Sequence, residues 1–301
     1  MHISIFLSLI LALAGLSYNS YGELYRYQDA SGQWHFSDKP PASKSKNLER
    51  LKLSTHKKHP KPSIDRVKEN HSHVWRVNNP LPVTIQVWLR WRDEEGFFHS
   101  QLVNAGEESL EIWRQGQKGR DFDFYYLIGE PVERPTDIKI PPPYKSGKSY
   151  MISQGFNGRY SHQGRGSRYA VDIAMPVGSH IFAVKPGIVA DARDNFTLGG
   201  AANYFLDKAN HVTIMHADGS YAVYAHLLQG SLEVAIGESI EAGQLLARTG
   251  NTGFSTGPHL HFVIRYNSGR GAYSVPFKFI TPEGKAVIPK ERKRYLGISG
   301  G

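Results

Sequence analysis

The sequence predicts an all-β protein assembled in modules, and three observations carry that expectation. Val83, Ile85, Val87, Leu89 and Trp91 alternate with Thr84, Gln86, Trp88 and Arg90, and Phe122, Phe124, Tyr126 and Ile128 repeat the pattern, which is the period-two signature of half-buried strands. Gly-containing turn signals at Glu95-Gly96, Ala105-Gly106 and Lys118-Gly119 separate such segments. Helical periodicity is scarce along the whole chain. With 301 residues there is room for two or more folded units. Apolar residues at 40% and aromatics at 12% are enough to bury a core, which excludes general disorder. Cysteine is absent, so there is no disulfide framework, thiolate nucleophile or cysteine-ligated metal.

Taken in order, residues 1–22 are expected to be a removable secretory signal. Ile3 to Leu16 is an apolar run too short to span a bilayer comfortably, and Ser20 and Gly22 are small residues at the −3 and −1 positions before Glu23. Residues 23–42 hold two aromatic-rich segments around a Gly-containing turn, a β-hairpin module. This stretch resembles a small domain found at the N-termini of many exported Gram-negative proteins. Residues 43–73 are expected to be a basic linker: nine basic residues against Glu49 and Asp65 between positions 44 and 68 supply +7 of the net charge of +9. Such a stretch suits loose contact with anionic envelope polymers. It lacks the interleaved aromatics or reading module of a nucleic-acid binder, so no nucleic-acid partner is expected. Residues 74–140 read as a small β-sandwich of immunoglobulin-like type, left through the stiff Pro141-Pro142-Pro143 connector. Residues 145–285 are again β-type, with strands near Ile181 to Val189, His211 to His216, Tyr221 to His226, Leu245 to Ala247 and His259 to Tyr266. Residues 286–301 form a basic tail.

Chemistry concentrates in residues 145–285. In Gly257-Pro258-His259-Leu260-His261-Phe262 the two histidines stand at i and i+2 of a strand and face one side, while Leu260, Phe262 and Ile264 face the other. They are either a pair aimed into a cleft or polar residues on a solvated sheet surface. Asp172, between Val171 and Ile173-Ala174, needs a cation or donors nearby, and His162 precedes it by ten positions. A metal meets that need, as would Arg159, Arg165 or Arg168. His226 ends the apolar run Tyr221 to Ala225, where a capping or core role competes with a catalytic one. His211 and His216 read as structural or exposed, His56, His59, His71 and His73 as solvated linker residues, and Gly199-Gly200 and Gly250 to Gly257 as flexible loops around the cleft.

Together, and in this order, Ser161-His162, Tyr169-Ala-Val-Asp-Ile-Ala-Met-Pro-Val-Gly178, Tyr224-Ala-His-Leu227 and Gly250-Asn-Thr-Gly-Phe-Ser-Thr-Gly-Pro-His-Leu-His-Phe262 resemble the lysostaphin-like, or LytM-type, zinc metallopeptidases of the Gram-negative exported murein endopeptidase type. The resemblance covers about residues 150–285. It implies a β-sandwich or barrel catalytic domain with a duplicated hybrid motif, and one zinc ion per chain bound by His162, Asp172 and His261. It further implies a catalytic pair, His226 and His259, free of metal. In one respect this chain departs from many relatives: His162 stands ten residues before Asp172 rather than four, across an insertion rich in Gly and Arg.

Two histidines and one aspartate leave a fourth tetrahedral position for water, the pattern of a catalytic zinc rather than a closed structural site. No His-Glu-x-x-His helix is present, which excludes the thermolysin template. The expected function is a zinc-dependent endopeptidase that hydrolyses peptide bonds in peptidoglycan stems or crosslinks, exported to the periplasm or cell envelope, without a transmembrane span in the mature chain. The alternatives are a non-catalytic LytM-type regulator or wall-binding activator of an amidase, and an electrostatic polymer binder acting through residues 44–68.

Overall fold

The computed structural model describes residues 24–29, 34–37, 41, 46–51, 60–91, 99–115 and 122–298. The proposed signal segment, the turn signals at Glu95-Gly96 and Lys118-Gly119, and His56 and His59 lie outside the described residues. Within them the protein is all-β: the one helical element is a single 3-10 turn, Asn203–Phe205. No helix of the described residues is long and apolar enough to cross a membrane.

Near the N-terminus, Leu24–Gln28 pairs antiparallel with both Trp34–Ser37 and Lys46–Leu51. The expected hairpin therefore gains a third strand from the stretch read as linker. A second element lies in the same stretch: Ser63–Glu69 and Ser72–Asn78 form a hairpin, and Leu110–Gln115 pairs beside it. The basic composition concealed these strands because Ser63–Glu69 lies at a sheet edge with most of its residues exposed, where charged side chains are tolerated and discourage further pairing. The facing sheet orders His99–Val103, Ile85–Trp91 and Phe122–Ile128. Ile85, Val87 and Leu89, the inward positions of the alternation, are fully buried and share one core with Trp75, Val77 and Ile112.

The C-terminal half is organised on an antiparallel sheet of nine strands. Its path runs from Ser239–Ile240 through Gly187–Arg193, His211–Met215, Ser220–Ala225, Leu260–Asn267, Val171–Ala174 and Ser149–Gln154 to Arg294–Leu296. Ala272–Ser274 is added beside Leu260–Asn267. This path is open at both ends, so the barrel form of the expectation is not realised. The expected single strand from Ile181 to Val189 is two strands, His180–Phe182 and Gly187–Arg193. Pro186 between them lacks an N–H for a ladder bond. The expected basic tail is also folded: Ala286–Val287 pairs with Phe277–Ile280, and Arg294–Leu296 pairs with Ser149–Gln154. Tyr224, Phe262, Phe277 and Phe279 fill the core beneath the large sheet, with ring pairs 5.1 to 5.5 Å apart. This packed layer is the platform on which the polar face of the central strands is displayed.

Candidate functional site

Sheet register assembles the site. In the central strands Asp172 is paired with His261, and His261 with Ala225, the residue before His226. Because neighbouring strands lie about 4.8 Å apart, side chains of one face of Val171–Ala174, Leu260–Asn267 and the end of Ser220–Ala225 meet over the sheet. Leu260, Phe262 and Ile264 are fully buried on the opposite face. At His226 the chain leaves the strand with φ +65°, a left-handed conformation uncommon for a residue with a Cβ.

One atom is central. Asp172 Oδ1 lies 2.8 Å from His261 Nδ1, 3.2 Å from His162 Nε2 and 3.7 Å from His259 Nε2. The ligand-type atoms of His162, Asp172 and His261 all fall within 4.8 Å of one another. His162 and Asp172 are buried and His261 half-buried. The imidazoles of His226 and His259 lie beside this group, tilted by 49° with centroids 4.5 Å apart, and the His226 ring centroid is 5.9 Å from that of His261. The structure thus brings all five sequence-predicted residues into one cluster. None of the three candidate arginines is a partner of Asp172, which instead contacts these imidazoles and the Gln154 amide.

Backbone carbonyls fix the rings. His162 Nδ1 is 2.9 Å from Gly155 O, His259 Nδ1 is 2.8 Å from Gly257 O and His226 Nδ1 is 2.7 Å from Thr252 O. A carbonyl only accepts, so each Nδ1 carries the hydrogen and each Nε2, in the neutral ring, presents a lone pair. Burial works against charge on Asp172, but its contacts with His162 and His261 outweigh that and hold the carboxyl well below the ordinary range. Asp172 Oδ1 thus faces the Nε2 atoms of His162 and His259, whereas His261 meets it through Nδ1; a lone pair against a carboxylate oxygen is accommodated by a cation or a shared proton. Protons suit the place poorly. Burial, followed by the neighbouring rings of His259 and His261, pushes His226 down to about 3, and burial pushes His261 down as well. Two imidazoles and one carboxylate are a donor set for a divalent metal, and the second ring nitrogen tied to a carbonyl is the usual support of a metal-binding histidine.

Two positioning groups gave no signal in the sequence. Gln154 stands opposite Asp172 in the strand register. Its Nε2 donates 2.8 Å to Asp172 Oδ2 and 2.7 Å to Ser161 Oγ, while its Oε1 accepts from Tyr160 N at 3.1 Å. It thereby ties the loop that carries His162 to the carboxylate. Thr252, whose carbonyl holds His226, is itself held: its hydroxyl donates to Leu227 O at 2.9 Å and accepts from Asn210 N at 3.1 Å. Thr252 lies within the Gly250 to Phe262 motif and Gln154 shortly before Ser161-His162, but neither neutral side chain is singled out there. The glycines read as flexible loops are paired, Gly199–Gly200 running parallel to Gly253–Phe254. A Cβ on Gly199 would stand 2.1 Å from Asn251 O, so glycine there permits close backbone approach. His211 is hydrogen-bonded to Asp191 at 2.9 Å and His216 to Pro186 O at 2.7 Å.

Comparison with known proteins finds a family match that includes Asp172, His226, His259 and His261. Residues 166–272 match peptidase family M23, and residues 11–63 match a domain of unknown function (DUF4124). The chain is 32% identical over 196 residues to an uncharacterized metalloprotease of Buchnera aphidicola, covering 61% of this chain and 43% of that protein. Identity to the glycyl-glycine endopeptidase ALE-1 of Staphylococcus capitis is 34% over 127 residues, 42% of this chain and 30% of that one. Identity to the peptidoglycan DD-endopeptidase ShyA of Vibrio cholerae is 25% over 201 residues, 64% and 42% respectively. The chain spans less than half the length of each of these relatives.

Proposed function

We propose that the chain, whose residues 166–272 match peptidase family M23, is a zinc-dependent endopeptidase of cell-wall peptidoglycan, acting on peptide bonds of stems or crosslinks outside the cytoplasm. The observation that carries this reading is the single oxygen, Asp172 Oδ1, ringed by nitrogens of His162, His259 and His261 within 3.7 Å. His162, Asp172 and His261 would hold the ion. A zinc ion there supplies Lewis acidity towards the scissile carbonyl and a water acidified to a pKa of about 7.

The remaining steps belong to the chain's own groups. His226 Nε2 and His259 Nε2, bare because their Nδ1 hydrogens are given to Thr252 O and Gly257 O, are placed to accept the proton of the attacking water. Either one then delivers a proton to the leaving amine, and in its protonated form donates a hydrogen bond to the developing oxyanion. The fixed carbonyl partners keep both rings in the tautomer this requires. The peptidoglycan substrate is supported by the name of the ShyA relative, a peptidoglycan DD-endopeptidase, and the endopeptidase activity by that of ALE-1 as well.

The test is incubation of the purified protein with isolated sacculi, with chelator, and with zinc restored. The expected result is release of soluble peptides or de-crosslinked muropeptides that stops with chelator, returns with zinc and is missing in His261→Ala. Zinc-loaded protein that binds sacculi and releases nothing would instead support a non-catalytic regulator or wall-binding module.

A further inference from the structure

A groove of about 660 Å³ lies between residues 280–288 and residues 293–296, and none of its walls belongs to the Asp172 cluster. It combines aliphatic Val287, Ile288 and Leu296 with basic Lys290, Lys293 and Arg294, against the single acid Glu283. Ile288 is 51% exposed and Leu296 42%, so apolar surface stands open to water beside an excess of positive charge. Among the described residues, the three basic groups make no ion pair with a carboxylate, and Arg294 donates instead to Ser149 O at 3.0 Å.

The backbone beside the groove is open as well. Arg294–Leu296 is the last strand of the nine-stranded sheet. In an antiparallel pair, alternate residues turn their N–H and C=O towards the partner and the others away from it. Gly297 N donates to Lys148 O at 2.8 Å and Lys293 O accepts from Ile152 N at 3.0 Å, so residues 293, 295 and 297 face Ser149–Gln154. Arg294 and Leu296, both lining the groove, therefore aim their N–H and C=O groups along the open side. Such an edge is a template for another strand. A second copy paired edge to edge would set Lys293 and Arg294 against like charges, which destabilises the pair, and residues 44–68 of this chain carry the same sign.

We propose that this groove docks an extended acidic segment of a partner protein, added as a strand along Arg294–Leu296. Its aliphatic side chains lie against Val287, Ile288 and Leu296, and its carboxylates meet Lys290, Lys293 and Arg294. Three observations select that occupant together. Open main-chain donors and acceptors call for another main chain, the apolar walls for aliphatic side chains, and the unneutralised basic groups for carboxylates. Because side chains of a strand alternate between its faces, acidic and aliphatic residues should alternate in the docked segment. A lipid surface would satisfy the charges and the apolar walls and leave the strand edge unused. The site does not depend on the chemistry at Asp172 and goes beyond the endopeptidase reading.

The experiment selects binders of the full chain from a displayed library of random linear peptides and measures their affinities by fluorescence anisotropy. The expected binders alternate Asp or Glu with aliphatic residues. Lys290→Glu/Lys293→Glu, checked as folded by circular dichroism, should bind them about tenfold more weakly. Leu296→Pro, which removes an outward N–H and keeps the ladder bonds to Ser149–Gln154, should weaken them by about as much. N-methylation of alternate amides in the peptide removes bonds of the same edge from the partner's side, so the strand is tested even where the proline variant fails to fold. Binders without acidic residues, affinities unchanged by the charge reversal, or methylated peptides that bind as well as the parent would each overturn the proposal. A library that yields no binder overturns it too, and phosphatidylglycerol vesicles bound by wild type and not by the charge-reversed variant would then assign the groove to a lipid surface.

Discussion

Around Asp172 each oxygen has a separate task. Oδ1 faces the imidazoles, and Oδ2 accepts from the Gln154 amide. Removing that amide leaves Oδ2 unsatisfied in a buried place and frees the loop that carries His162. Gln154→Ala should weaken metal affinity about 10- to 100-fold, the usual cost of losing a group that orients a ligand, as measured by competition with a chelating dye. The histidines separate by role. His226, held by Thr252 O rather than aimed at Asp172, should on replacement by Ala keep the metal and lose roughly 10²- to 10⁴-fold in kcat, whereas His261→Ala should lose both. Equal metal loss in the two variants would dissolve the distinction between ligand and proton-transfer group.

Among the elements, the strands that present the site were the most legible in the sequence. Alternation revealed Ile85–Trp91 because its inward residues are fully buried, and an aspartate among Val171 and Ile173 announced its own need for a partner. The Ser63–Glu69 and Arg294–Leu296 strands were not legible, because edge positions carry exposed charges and so lose the apolar alternation. Nor were Gln154 and Thr252: a neutral side chain acquires its role only when strand pairing sets it opposite Asp172 or behind His226. Loop packing carries a prediction of its own. Gly250, whose N–H donates to His226 O at 3.0 Å, has no room for a side chain, since a Cβ would stand 2.6 Å from Leu227 C and Leu228 N. Gly250→Ala should therefore cost about 1–3 kcal/mol in urea unfolding and lower turnover by shifting the Thr252 carbonyl. Wild-type stability and activity in this variant would mean that the close approach is not needed.

Across the whole molecule, the strand that bears His261 ends in a joint with the N-terminal sandwich. Asn267, fully buried, donates 3.0 Å to Gln86 Oε1 and 2.8 Å to Gly129 O, and its own Oδ1 accepts from Gly269 N at 2.8 Å. Asn267→Ala strands those groups and should cost about 1–3 kcal/mol, seen as a lower Tm. A pH response also belongs at this scale. Burial pushes His216 down to about 4, its Nδ1 hydrogen bond to Pro186 O opposing the shift only in part, and its Nε2 is buried without a partner. The folded state favours the neutral ring. Its stabilisation is complete above the unfolded value of about 6.5 and is lost as pH falls from there towards about 4. Between pH 7 and pH 5 urea unfolding should show a loss of about 2 kcal/mol from this group, and His216→Gln should flatten that slope. An unaltered slope would assign the acid sensitivity elsewhere.

The central claim is that His162, Asp172 and His261 together hold one divalent ion, and metal content measured on the purified protein tests it most directly. Wild type should carry about one zinc per chain, the stoichiometry of a single three-ligand site. His162→Ala, Asp172→Ala and His261→Ala, checked as folded by circular dichroism, should carry almost none. Folded variants that retained the wild-type content, or a wild type that took up no zinc from a buffered excess, would contradict the account.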